Sequence, residues 1–142
     1  MSTKLQQVKA LLQGIRDDDA LYVELRALLE KQRLNMIRRD ADGLLVVNEE
    51  IEKHYERLSE GTRQRRSLLE QLGVGANRSG LEQVLSWLPA TQKKAAQGWW
   101  KTLERKVESC KAYNEKNGDL LIRQYEFIQS FLGTEPDFIY QR

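Results

Sequence analysis

One cysteine, one histidine and two prolines are spread over 142 residues. A lone Cys110 cannot form an intrachain disulfide, and it fits a reducing compartment. One histidine and one cysteine are too few for a zinc site or for the paired Glu-x-x-His motif of a di-iron bundle. Near-absence of proline removes the commonest helix breaker. Long hydrophobic runs are missing too, Leu44 to Val47 being about as long as they get, so no membrane-spanning segment is expected. The opening M-S-T-K-L-Q-Q-V-K lacks the apolar core of a signal peptide, which predicts a cytoplasmic protein. Nor is charge of one sign in excess: 23 Lys+Arg face 21 Asp+Glu, a formal +2 that demands neither nucleic acid nor an anionic membrane.

What remains is 31% charged and 40% hydrophobic residues, the profile of long amphipathic helices. Alternation between turn signals, the mark of a strand, is absent. The spacing predicts an all-α fold, a single domain over 1–142. It is an antiparallel bundle of three long helices plus one short one, packed like a coiled coil. In the first helix, about 3–38, Leu5, Val8, Leu12, Ile15, Tyr22, Leu25, Leu29 and Met36 recur at three- and four-residue steps. Ser2 or Thr3 can cap it. Gly14 and Asp17-Asp18-Asp19 mark a weak point at 14–18, with two shorter helices as the alternative, the second beginning near Asp19 with Asp17 or Asp18 as its cap. Asp40 suits the cap of a second helix, about 41–72, along Leu44, Asn48, Ile51, Tyr55, Leu58, Thr62, Arg65, Leu69 and Leu72. Gly61, Thr62 and Arg65 dilute that stripe, so the pairing is expected to be weakest there. After the glycine-rich break at 73–80, Ser79 can cap a short helix, about 80–88, and Pro89 stops it. A third long helix, about 92–132, ends before Gly133 and Pro136, leaving a mobile tail at 133–142.

This last long helix carries the most information. Leu103, Val107, Cys110, Asn114, Asn117, Leu121, Gln124, Ile128 and Phe131 follow coiled-coil steps, with Leu120, Gln124, Phe127 and Phe131 in a row beside them. Apolar residues on more than one face call for more than one partner. Asn114 and Asn117 stand where core is expected. Buried, they would fix register or partner; otherwise that turn faces water. Gly118 after them costs about 1 kcal/mol in a helix interior. Asn117-Gly118 therefore reads as a soft divide, with Asp119 to Leu132 able to reposition on a partner.

Reactive chemistry finds little support. His54 pairs most simply with Glu50 on a helix surface. Cys110, mid-helix on the apolar stripe, reads as a small buried hydrophobe. The glycines at 73–80 fit neither phosphate-binding pattern. No enzyme, metal or cofactor is expected. Arg38-Arg39, Arg63-x-Arg65-Arg66 and Lys93-Lys94 have acidic neighbours and read as solvated faces, leaving a nucleic-acid-binding bundle as a minor alternative. Trp99 and Trp100 point about 100° apart, so only one enters the core: Trp99 shares register with Leu103, while Trp100 is a shoulder on the short helix or exposed contact surface.

At Asn114-Glu115-Lys116-Asn117-Gly118-Asp119-Leu120-Leu121 the chain resembles the FlgN family of flagellar type III export chaperones, whose carboxy-terminal helix carries a similar Asn-x-x-Asn-x-x-Leu-Leu signature. Leu25 to Glu30 (L-x-x-L-L-E) and the arginine-led Arg66-Ser67-Leu68-Leu69 resemble the family's first two helices. The resemblance implies a cytoplasmic chaperone that binds the carboxy-terminal helical segment of hook-associated proteins, keeps them from premature assembly and delivers them to the export apparatus. Carried over, the partner-binding surface comprises Asn114, Asn117, Gly118, Leu120, Leu121, Gln124, Phe127, Ile128 and Phe131. The resemblance also implies docking at the export gate through Tyr140, although the glycine that follows the family's tyrosine is replaced here by Gln141. The alternative is a generic helical adaptor or a coiled-coil homo-oligomer that consumes its excess apolar face by self-association.

Overall fold

A computed structural model describes residues 3–132, with every side chain among them except that of Phe131. Four helices follow in order: α1 (Lys4–Arg38), α2 (Ala41–Gln71), α3 (Arg78–Ser86) and α4 (Ala90–Leu132). The described residues contain no strand. At 43 residues, α4 is about 65 Å long. No helix of the described residues is long and apolar enough to cross a membrane. The expected mobile tail, and Tyr140 with it, lies outside the described residues.

Local chemistry sets the boundaries. Thr3 and Gln6 form a reciprocal capping box at the start of α1. Arg39 takes the left-handed conformation that closes α1, and Asp40 caps α2 by accepting from the Gly43 N–H at 2.9 Å. Gly73, with φ at +77°, closes α2 in the Schellman manner: the Val74 N–H reaches back to the Leu69 carbonyl at 3.1 Å. Asn77, and not Ser79, caps α3, because its amide oxygen accepts from the Gly80 N–H at 2.8 Å. Gly80 has no room for a side chain, since a Cβ there would overlap the Gly75 carbonyl. α4 begins two residues earlier than expected: the Pro89 carbonyl accepts from the Lys93 N–H at 2.8 Å, so Pro89 starts this helix as well as ending the preceding turn.

α1 is the central strut. α2 and α4 both lie against it and scarcely touch one another, while α3 closes the proximal end of the bundle against α4. α2 runs antiparallel to α1, as the pairs Gln7–Gln71, Asp18–Arg65 and Gln32–Asn48 show. α4 runs parallel to α1, because Tyr22, Leu29 and Met36 meet Cys110, Asn117 and Gln124 at one constant separation of 88 residues. Two apolar clusters fill the interior. One gathers Leu11, Ile15, Leu69, Leu81, Val84 and Leu103 where α3 caps the bundle. The other gathers Leu25, Leu29, Val47, Ile51, Leu58 and Cys110 further along.

α1 is continuous through 14–18. Its Asp18 is no cap: it is buried, and it accepts from Arg65 Nη1 on α2 at 2.9 Å. Gly61 makes space for that carboxylate, since a Cβ there would collide with Asp18 Oδ1. The diluted stretch of the α2 stripe is thus a polar clasp with close backbone approach, not merely a weak one. The apolar stripes are also rotated slightly from their expected rows. Leu11 and Val47 enter the core, whereas Leu5 is 64% exposed and Tyr55 40% exposed. Trp100 packs against the proximal cluster, while Trp99 lies outside under the Arg16 guanidinium at 4.9 Å. His54 does meet Glu50, through its backbone carbonyl at 2.9 Å, but its Nε2 faces Glu24 of α1 at 2.8 Å.

Candidate partner-binding surface

A row of residues spaced one heptad apart seats α4 on α1. Cys110 Sγ donates to the Tyr22 carbonyl at 3.6 Å, Asn117 Nδ2 to the Leu29 carbonyl at 2.9 Å, and Gln124 Nε2 to the Met36 carbonyl at 2.9 Å. Asn117 is only 2% exposed. Its amide also donates to Gln32 Oε1 at 3.0 Å, and Gln32 Nε2 donates in turn to Asn48 Oδ1 on α2 at 2.8 Å. One relay of three amides thus ties all three long helices at a single level. Burial pushes the Cys110 thiol pKa up, so it stays protonated at neutral pH and serves as packing.

The expected soft divide is therefore a fastening. α4 passes through Asn117-Gly118 without interruption, and nothing lies within 4 Å of a Cβ built on Gly118. Asn114 differs from Asn117 in being exposed, as the simple water-facing reading has it. The constant separation brings Arg38, the last residue of α1, level with Glu126. Beyond that level α4 projects past the α1–α2 corner, where Arg39, Phe127, Ile128 and Leu132 line a cavity of about 290 Å³.

Of the expected partner-binding residues, the structure divides the set. Leu121 (53%), Phe127 (60%) and Ile128 (46%) are exposed, as are Asn114 and Gly118. Leu120 and Gln124 are half-buried, Gln124 on the Met36 carbonyl, and Asn117 is consumed by α1. The Phe131 side chain lies outside what is described. Ile122, Tyr125 and Leu132, each more than half exposed, extend the surface although the sequence reading passed over them. For Tyr125 and Leu132 the signal was present: Leu121, Tyr125, Ile128 and Leu132 step four, three, four along a second seam. Ile37 of α1 and Leu45 of α2 add exposed apolar area at the same end.

Between α2 and α4 a groove of about 710 Å³ opens, floored by Asp18 and Tyr22 of α1. Leu58 and Thr62 form one wall; Trp100 and Val107 form the other. Burial raises the Asp18 pKa above the ordinary carboxylate value despite the opposing pull of Arg65. The described residues contain no group of three or more His, Cys, Asp or Glu that could hold a metal ion. The arginine clusters at 38–39 and 63–66 sit toward opposite ends of α2, and Arg63 and Arg65 are engaged by Glu60 and Asp18.

Comparison with known proteins matches residues 1–134 to the family model described as FlgN protein. No curated protein and no solved structure matches the chain.

Proposed function

Because this chain belongs to the FlgN family of flagellar export chaperones, we propose that it binds the carboxy-terminal helical segment of hook-associated proteins in the cytoplasm, prevents their premature assembly and delivers them to the type III export apparatus. The observation that carries the reading is the distal half of α4. It is fastened to α1 through Asn117 and Gln124, yet leaves Leu121, Ile122, Tyr125, Phe127, Ile128 and Leu132 in water. A monomer has no use of its own for such a patch. An amphipathic client helix laid on it would hide the apolar faces of both partners, which is what keeping an aggregation-prone segment soluble requires.

The contact surface in this reading is Leu120, Leu121, Phe127, Ile128 and Phe131, enlarged by Ile122, Tyr125 and Leu132. Asn117 and Gln124 act behind it by fixing α4 on α1. No metal, cofactor or nucleic acid enters the reading. Docking at the export gate is assigned to Tyr140, separately from client binding. The test is calorimetric titration with the carboxy-terminal segment of a hook-associated protein. Leu121→Asp and Ile128→Asp should each weaken binding about tenfold or more, the scale of central interface residues, while unfolding curves stay unchanged. Undiminished binding by both variants would remove this surface from the account. Truncation after Leu132 should spare client binding and abolish gate docking.

A further inference from the structure

The formal charge of +2 hides an uneven distribution. α1 and α4 each carry more lysine and arginine than carboxylate, whereas α2 carries more carboxylate. The excess gathers on the side of the α1–α4 seam that faces away from α2. There the heptad row Asp19, Arg26 and Arg33 of α1 meets the heptad row Trp99, Lys106 and Tyr113 of α4. Arg26 Nη1 donates to Ser109 Oγ at 2.6 Å, and its guanidinium lies 4.3 Å from the Tyr113 ring. Lys106 Nζ donates to Asp19 Oδ2 at 2.6 Å, and Arg33 Nη1 reaches the Lys116 carbonyl at 3.5 Å. Arg16 covers Trp99, and the Lys116 ammonium stands 5.7 Å from the Tyr113 ring. Five cations thus share this side with two carboxylates, and both carboxylates are engaged, Asp19 by Lys106 and Glu30 by Arg26. Among the described residues, Arg16, Arg33 and Lys116 have no carboxylate partner.

Shape decides what such a face fits. α1 and α4 run side by side, and Arg26, Lys106 and Tyr113 fill the seam between them. A depression of about 170 Å³ opens beside Arg26 and Lys106, against about 710 Å³ for the groove on the α2 side. A partner helix seats in a groove, and this filled seam is too shallow to hold one. Stacked bases need open aromatic faces, but the rings of Trp99 and Tyr113 already lie under cations. Beside the cations stand Val23, Leu34 and Ile37 of α1, which are 54%, 42% and 57% exposed. From Arg16 to Ile37 the face is about 31 Å long. Lysine and arginine mixed with aromatic rings and exposed aliphatics on a flat face suit the headgroup layer of a bilayer. There the cations meet lipid phosphates and the apolar tips enter between headgroups.

From this arrangement we infer that the side of the α1–α4 seam away from α2 is a docking face for an anionic lipid surface, bound reversibly and with no helix inserted. Arg16, Arg33 and Lys116 supply the uncompensated charge, and the depression beside Arg26 and Lys106 accepts a headgroup phosphate. On the far side of α1, Glu49, Glu52, Glu56 and Glu60 form an exposed acidic stripe on α2. The bundle is therefore polarised, and a negative surface draws it in with the basic face first. Leu121 and Ile128 lie on the opposite flank of α4 and stay open when this face is occupied.

Co-sedimentation of the full chain with lipid vesicles tests the inference. The chain should bind vesicles of equal parts phosphatidylglycerol and phosphatidylcholine, should ignore vesicles of phosphatidylcholine alone, and should be released by added salt. Arg16→Gln and Lys116→Gln should each lower partitioning about fivefold, the weight of one cation near an anionic surface. Both residues are exposed, so circular dichroism should show unchanged helix content. Lys53→Gln, which removes an exposed cation from α2, should leave partitioning as it was. No binding to the anionic vesicles at low salt overturns the inference. Equal binding to both vesicle types, or equal losses at Arg16, Lys116 and Lys53, overturns it as well. Binding of polyuridylate or polyglutamate without vesicle binding assigns the face to a nucleic acid or an acidic peptide instead, and also overturns it. The client plays no part in these measurements, so their failure leaves the client-binding reading intact.

Discussion

Asn117 reaches from α4 to the backbone carbonyl of Leu29, 2.9 Å away, and thereby joins two helices that run parallel through their full overlap. Gln124 repeats the contact on Met36 one heptad later. A carbonyl inside a helix keeps one lone pair after its own ladder bond, and a side-chain amide can use it. Asn117→Ala should remove this bond together with the link to Gln32, at a cost of about 1–3 kcal/mol in urea unfolding. Asn114→Ala, three residues earlier and exposed, should change monomer stability by no more than about 0.5 kcal/mol. Similar losses at both positions would show that the two asparagines are not differently placed.

The buried clasp between α1 and α2 predicts a pH signature. Burial raises the pKa of Asp18, so between the ordinary carboxylate value and that raised value the folded state holds more protons than the unfolded chain. Its contribution to stability is then greatest at acid pH and is lost as pH rises through the folded pKa. Asp18→Asn should abolish this component. Arg65→Met leaves the carboxylate without its counter-charge and should cost about 3 kcal/mol at neutral pH, a loss that shrinks on acidification. Urea unfolding at acid and neutral pH measures both. A pH-independent difference between wild type and Asp18→Asn would contradict the assignment.

Two glycines in long helices should respond in opposite directions. Gly118→Ala introduces a Cβ into open space and should stabilise by up to about 1 kcal/mol. Gly61→Ala forces a Cβ against Asp18 Oδ1 and should destabilise by about 1–3 kcal/mol despite its better helix propensity. Thermal melts of the two variants give the signs directly.

Helix number, order and most boundaries were legible because they rest on local chemistry: Thr3, Asp40 and Pro89 act within a few residues of themselves. The long-range polar partners were not. Asp18 reads as a cap in sequence, since nothing local announces that Arg65, 47 residues away, will meet it. Asn117 reads as one of two equivalent asparagines, and only the register of α4 on α1 separates it from Asn114. The exposed apolar surface of distal α4 was partly legible. The heptad that predicts it also describes the seam on α1, and exposure alone distinguishes Leu121 and Ile128 from Cys110 and Gln124. Tyr125 and Leu132 belong to a second seam that becomes visible once the first is assigned to α1, and Ile122 lies beside it.

The central claim is that the distal half of α4 receives the client, and calorimetric titration of the carboxy-terminal segment of a hook-associated protein into wild type, Leu121→Asp, Ile128→Asp and Val23→Asp tests it most directly. Val23 is a control, being 54% exposed on α1 away from this surface. The account predicts that wild type and Val23→Asp bind alike, while the two α4 variants lose about tenfold or more of the affinity. Equal affinity across all four proteins would contradict it.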